Sequence, residues 1–136
     1  GARVSRPQIA WAGASGSDAS LAWLPRMETD LSIEVGDATT IVETKFYRTP
    51  FQRRFGGETD RVRSAHLYQL FAYLKNLQVR CSKLSGVLLY ASVGKDVDVS
   101  FRLDGVDIAV RTLDLMTPWT ELRRAMLRLP LAHSTE

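Results

Sequence analysis

The sequence predicts a mixed β-sheet with helices on its faces, an α/β or α+β arrangement. Three observations carry this. An alternating run from Asp30 to Val35 leads into Gly36-Asp37 and then a second strand-like run, "ATTIVETKFY". A continuous apolar stretch, "GVLLYAS" (Gly86 to Ser92), reads as a strand covered on both sides. Two further segments, Ala65 to Gln78 and the stretch after Thr117, place apolar residues at helical spacing.

In chain order, "RPQIAW" (Arg6 to Trp11) is expected as a short strand or extended lead-in, and "AGASGSDAS" (Ala12 to Ser20) as a loop. From Asp30 the chain alternates, with Asp30, Ser32 and Glu34 on one face and Leu31, Ile33 and Val35 on the other. Gly36-Asp37 is a two-residue hairpin turn, and the strand from Ala38 to Tyr47 returns. Arg48 to Arg63, with Pro50 and Gly56-Gly57, reads as a loop. Ser64 is expected to cap a helix whose apolar stripe is Leu67, Leu70, Phe71 and Leu74. "DVSFRL" and "VDIAVRTLDL" form an antiparallel pair about Asp104-Gly105. Thr117 is expected to cap a last helix with Pro118 at its first position and a stripe of Trp119, Leu122, Met126 and Leu129.

The 136 residues are expected to form one domain, as a whole protein or a piece of a longer one. A composition of 45% hydrophobic and 24% charged residues is that of a globular protein. No apolar run approaches the ~20 residues of a membrane span. The N-terminal "GARVSRPQIAW" lacks the apolar core of a secretory signal. The single cysteine, Cys81, excludes an internal disulfide framework, fits a reducing cytoplasm and reads as a buried structural thiol. The net charge is +3, unevenly spread. Lys45, Arg48, Arg53, Arg54, Arg61 and Arg63 face only Glu58 and Asp60 over the same span, which is either a phosphate-tracking patch or a solvated loop.

The hairpin gives the charges a geometry. With Gly36-Asp37 as the turn, Val35 faces Ala38, Leu31 faces Val42, and the next pair is Asp30 and Glu43. Directly opposed Cβ atoms lie about 4.5–5.5 Å apart, and Lys45 shares the Glu43 face. Two opposed carboxylates repel, and a divalent cation between them removes that cost. Hard oxygen donors suit Mg²⁺, which takes one or two carboxylates plus phosphate and water. A lysine beside such a centre can hold the attacking water or stabilise charge developing on phosphorus. The plain alternative is a surface ion pair between Lys45 and Glu43, worth about 0–1 kcal/mol.

"METD" (Met27 to Asp30), a hairpin and "IVETKFY" (Ile41 to Tyr47) together resemble the D…(D/E)xK motif of the PD-(D/E)xK nucleases. "RSAHLYQLFAYLKN" (Arg63 to Asn76) adds a Gln-x-x-x-Tyr element, Gln69 and Tyr73, on the following helix. With "LLY" at Leu88 to Tyr90 and "PWTELRRAML" at Pro118 to Leu127, the chain resembles the McrC family, nuclease subunits of bacterial 5-methylcytosine restriction systems, from about Arg6 to Leu129.

That resemblance implies a restriction-endonuclease-like α/β fold, a mixed sheet flanked by helices, and a cytoplasmic, bacterial, Mg²⁺-dependent DNA endonuclease that also accepts Mn²⁺. It implies Asp30 and Glu43 as metal ligands, joined by the Thr44 carbonyl, with Lys45 as the catalytic lysine. Gln69 would orient water or the lysine, supported by Tyr73. Arg48, Arg53, Arg54, Arg61 and Arg63 would grip the backbone of double-stranded DNA without reading sequence. His66 is expected as a hydrogen-bonded structural histidine. An McrB-like AAA+ GTPase would be the partner and would carry the methylcytosine specificity, and a double-strand break would need two copies of this domain, as in a homodimer. Two parts of the family pattern are not seen in the sequence: an acidic residue on a helix before the first strand, and an N-terminal region that docks on the GTPase. The competing expectations are a non-catalytic nuclease-fold module that binds DNA or holds an assembly, and an RNA-processing nuclease of the same fold.

Overall fold

Gly36 sits at φ 61°, a conformation disfavoured for residues with a Cβ, and there the chain reverses between β4 (Leu31–Val35) and β5 (Ala38–Phe46). The computed structural model describes residues 1–46, 51–53, 60–92 and 96–130. The other elements are β1 (Ala2–Ser5), β2 (Gln8–Ile9), α1 (Asp18–Leu21), β3 (Met27–Glu28), β6 (Phe51–Arg53), β7 (Asp60–Val62), α2 (Ser64–Leu77), β8 (Lys83–Ser92), β9 (Asp98–Leu103), β10 (Val106–Asp114) and α3 (Trp119–Leu127). The main sheet has six strands in the order β1-β4-β5-β8-β10-β9. Its centre, β5-β8-β10, is parallel and its flanks are antiparallel. This is the mixed sheet flanked by helices of an α/β, restriction-endonuclease-like fold.

The register follows the turn chemistry. Val35 pairs with Ala38 and Leu31 with Val42, as Gly36-Asp37 requires. Asp104 (φ 46°) and Gly105 (φ 79°) both take positive φ, the signature of a tight Asp-Gly hairpin, and Leu103 pairs with Val106. Strand β8 lies in the middle of the sheet, with Leu84 to Tyr90 buried, so its continuous apolar character reflects cover on both faces.

Helix α2 is the crossover between parallel strands β5 and β8. Leu70 and Leu74 bury completely against Ile41, Leu88, Tyr90, Ile108 and Val110, and Leu67, Phe71 and Cys81 pack at the margin. Gly86 lets the helix come this close. A Cβ there would lie 2.7 Å from Leu74 Cδ1 and 3.1 and 3.2 Å from the two Leu70 methyls. The opposite face of the sheet buries Ile33, Val42, Val87, Leu89, Ala109 and Leu129. Among the described residues no helix is long and apolar enough to cross a membrane.

The structure departs from the sequence expectations in several places. Ala2–Ser5 forms an edge strand on β4, and the expected Gly/Ser loop contains the start of α1, capped by Ser17. Within the expected loop between β5 and α2, β6 and β7 pair as an antiparallel arm, with Gln52 opposite Arg61. Ser64 is the first residue of α2 rather than its cap. Arg63 holds the cap position and makes no side-chain cap bond. Pro118 is the N-cap of α3, and the Thr117 hydroxyl donates instead to the Asp114 carbonyl at 2.7 Å. The α3 stripe is not a buried face: Trp119 and Met126 are exposed and no residue of the helix is buried, whereas Leu129 just beyond it is.

Candidate active site

Residues 43 and 45 point to the same face of β5, the face covered by α2, because side chains alternate along a strand. Glu43 is buried and Lys45 nearly so, with side-chain exposures of 3% and 15%. Their charged atoms, Lys45 Nζ and Glu43 Oε2, lie 3.9 Å apart. The surface ion pair offered by the sequence is therefore replaced by a desolvated one, in which each charge needs further partners.

Those partners come from two directions. Gln69, on the second turn of α2, accepts from Lys45 Nζ through Oε1 at 2.6 Å. Its own amide Nε2 donates to the Tyr73 hydroxyl, one turn on, at 2.9 Å. Tyr73 is buried against Ile9 and Met27, so the small β2·β3 ribbon leading to Asp30 packs on the residue that orients Gln69.

Asp30 stands one residue before β4 begins, where the ladder with β5 ends at Leu31 and Val42. In place of a further rung, the two strands exchange backbone-to-carboxylate bonds. The Asp30 N–H donates to Glu43 Oε1 at 3.1 Å. The Thr44 N–H and hydroxyl both donate to Asp30 Oδ2, at 2.9 and 2.8 Å. One oxygen of each carboxylate is thereby fixed. The Thr44 N–H points to the Asp30 edge, and in a paired strand the carbonyl of a residue leaves on the same edge as its N–H, so the Thr44 carbonyl faces this gap as well.

The electrostatics reflect two carboxyls held together away from water. Burial, then the negative charge of Asp30, push the Glu43 carboxyl up to about 7, against the pull of the Asp30 N–H and of Lys45. A divalent cation would relieve both causes at once. Among the described residues no group of three or more His, Cys, Asp or Glu side chains is gathered to bind a metal, so any metal here would have only the two carboxylates and backbone oxygen from the protein. That hard, sparse set fits Mg²⁺, which keeps several waters, and does not fit a dedicated zinc site.

On the far side of Lys45, Tyr90 is its register partner on β8, and the Tyr90 hydroxyl meets His66 Nδ1 at 2.8 Å. His66 is buried, and its pKa is lowered by that burial and by the nearby charges of Lys45 and Arg63. It is thus a hydrogen-bonded histidine, as the sequence reading expected.

The structure therefore brings together Asp30, Glu43, Thr44, Lys45, Gln69 and Tyr73. Of the arginines expected at the DNA, Arg61 is exposed on β7 and Arg63 is half-buried at the head of α2. Arg53 lies on β6, and Arg48 and Arg54 lie outside the described residues. The contact between His66 and Tyr90 was missed by sequence reasoning. Its one available signal was that Tyr90 falls at the same level as Lys45 once β5 and β8 are set in parallel.

No protein-family model matches the chain. Over 127 residues, 93% of its length, the chain is 35% identical to the type IV methyl-directed restriction enzyme EcoKMcrBC of Escherichia coli strain K12. It spans 36% of the length of that relative. The chain is thus similar along nearly all of its length to part of a type IV restriction enzyme.

Proposed function

We propose that this chain is the cleavage domain of a methylation-dependent, GTPase-driven restriction system, hydrolysing DNA phosphodiesters with Mg²⁺. The observation that carries this reading is the placement of Lys45. It is desolvated and held between Glu43 Oε2 and Gln69 Oε1, on the rim of a paired carboxylate site. A structural lysine has no need of so costly a setting. The homology with a restriction enzyme supports the same reading.

Asp30 and Glu43, with the Thr44 carbonyl, would hold the metal, and the bound Mg²⁺ would supply Lewis-acid polarisation of the phosphate and a more acidic water. Thr44 holds one Asp30 oxygen in place through two bonds and leaves the other for the metal. Lys45 places a positive charge where negative charge develops on the phosphorane oxygens, or positions the attacking water. Gln69 fixes the lysine, and Tyr73 fixes the amide orientation of Gln69. The β6·β7 arm connects the ends of β5 and α2 and carries Arg53 and Arg61, which would contact the phosphate backbone. Base recognition would belong to an McrB-like GTPase partner, and two copies of this domain would be needed to cut both strands.

The test compares wild type with Lys45→Ala on plasmid DNA, with Mg²⁺, the cognate GTPase and GTP. Loss of nicking in the variant is expected, and equal nicking by the two proteins would sink the assignment. Titration calorimetry with Mg²⁺ or Mn²⁺ separates the other class of function: a non-catalytic nuclease-fold module would show no binding that depends on Asp30. DNA and RNA substrates run side by side decide between the two polymers.

A further inference from the structure

Helix α2 begins without the usual aids. Its N-cap, Arg63, makes no side-chain cap bond, and the first turn carries no acidic residue to complement the helix dipole. Yet the next turn carries Gln69, whose Oε1 must sit 2.6 Å from Lys45 Nζ. A fraying first turn would move Gln69 directly, since a helix end without side-chain caps depends on contacts outside the helix.

His66 supplies a polar tie at this point. It stands three residues before Gln69 on the same side of α2. Its Nδ1 lies 2.8 Å from the Tyr90 hydroxyl, and the two rings are 5.7 Å apart, tilted at 41°. Tyr90 is fully buried on β8, and its Cα is paired with that of Lys45 across the parallel ladder. Paired residues in a ladder project to the same face, so the tyrosine anchoring the helix and the lysine the helix must reach share one rung.

We propose that His66 is a positioning residue for Lys45: through Tyr90 it fastens the first turn of α2 to β8 at the level of the lysine and so sets Gln69 on the ammonium group. The site is well suited to a neutral imidazole, because burial disfavours the charged form and an imidazolium would also face Lys45 and Arg63. The proposal rests on the nuclease reading only for its activity readout; the geometric claim stands apart from it.

The experiment uses the ¹⁵N-labelled full chain and follows the side-chain ammonium signal of Lys45, assigned by its loss in Lys45→Ala. Gln69→Leu defines where that signal lies when the lysine has no amide partner. Tyr90→Phe and His66→Leu are expected to move the signal at least halfway to the Gln69→Leu position and to speed amide exchange in the first turn of α2 about 10-fold. His66→Asn, which keeps a hydrogen-bonding group near Nδ1, should restore the wild-type position. An ammonium signal unmoved by Tyr90→Phe would overturn the proposal. Should His66→Leu fail to fold, Tyr90→Phe decides alone, because it removes a single oxygen. In plasmid nicking with the proposed GTPase partner, Tyr90→Phe should lower kcat about 10-fold with KM unchanged; a rise in KM with kcat unchanged would count against positioning. If the variants move the ammonium signal as expected but the wild-type chain never nicks DNA, the nuclease reading is refuted and the positioning claim stands.

Discussion

Lys45 Nζ lies 2.6 Å from Gln69 Oε1 and 3.9 Å from Glu43 Oε2, so the strand and the helix that follows it converge on one ammonium group. The two contacts divide the work. Glu43 balances the charge of the lysine, and Gln69, a neutral acceptor, fixes its direction. Lys45→Ala should reduce DNA nicking about 10²–10³-fold, the usual cost of removing one group that stabilises transition-state charge. Gln69→Leu should cost about 10²-fold through misplacement of the lysine, with KM little changed. Steady-state nicking with Mg²⁺ and the proposed McrB-like GTPase measures both. Lys45→Arg should not rescue, because a planar guanidinium cannot take the place of a compact ammonium group.

Glu43 predicts a pH dependence of stability in the absence of divalent cations. Its carboxyl is pushed up to about 7 from an ordinary 4.5, first by burial and then by Asp30. Between those values the folded chain holds a proton that the unfolded chain has released, so stability falls as pH rises from about 4.5 through about 7. Glu43→Gln should flatten this slope and leave the metal-free chain more stable than wild type at pH 8. Urea unfolding at pH 5 and pH 8 in the presence of a chelator reads the difference. Adding Mg²⁺ should raise the wild-type midpoint more at pH 8 than at pH 5, since the ion requires the deprotonated carboxylate.

Thr44 holds Asp30 through its N–H at 2.9 Å and its hydroxyl at 2.8 Å. Thr44→Val removes the second bond and keeps the first. A loss of about 0.5–1.5 kcal/mol in chain stability is expected, with Thr44→Ser close to wild type. Metal affinity should fall in parallel, because the freed carboxylate can rotate away from Glu43. Calorimetric titration of the three proteins with Mn²⁺ checks this.

The C-terminal helix gives a contrast in packing. Trp119 is 65% exposed, whereas Leu129 is 5% exposed within the cluster that includes Val42, Val87 and Ala109. Trp119→Ala should change stability by no more than about 0.5 kcal/mol. Leu129→Ala should cost about 2–5 kcal/mol. Thermal or urea unfolding distinguishes the two, and equal losses would mean that α3 packs through its tryptophan after all.

Much of the site was legible because its geometry is local. Gly36-Asp37 fixes the hairpin, the hairpin brings Asp30 beside Glu43, and alternation puts Lys45 on the Glu43 face. Gln69 was legible as a motif on a helix. The same local logic overlooked β1, where Val4 is the one large apolar residue in four and is itself exposed. It also overlooked the β6·β7 arm, whose strands are three residues each, too short for alternation to register. The α3 stripe has sound periodicity, but periodicity states only that a face is apolar and not what covers it. The backbone-to-carboxylate bonds between Asp30, Glu43 and Thr44 replace an ordinary rung of the ladder, and no pattern of residue types distinguishes the one from the other.

Gly86 has no chemistry to contribute, yet it works as the spacer gauge of the site. By carrying no side chain beneath Leu70 and Leu74 it sets the clearance between α2 and β8, and with it how far the Gln69 amide must stretch to meet the lysine. The tolerance of the site is thus set on the strand next to the charges, a few rungs away from them. A Cβ at this position would press first on the Leu74 and Leu70 methyls, so the spacing that Gln69 needs is governed by apolar side chains that carry no charge at all.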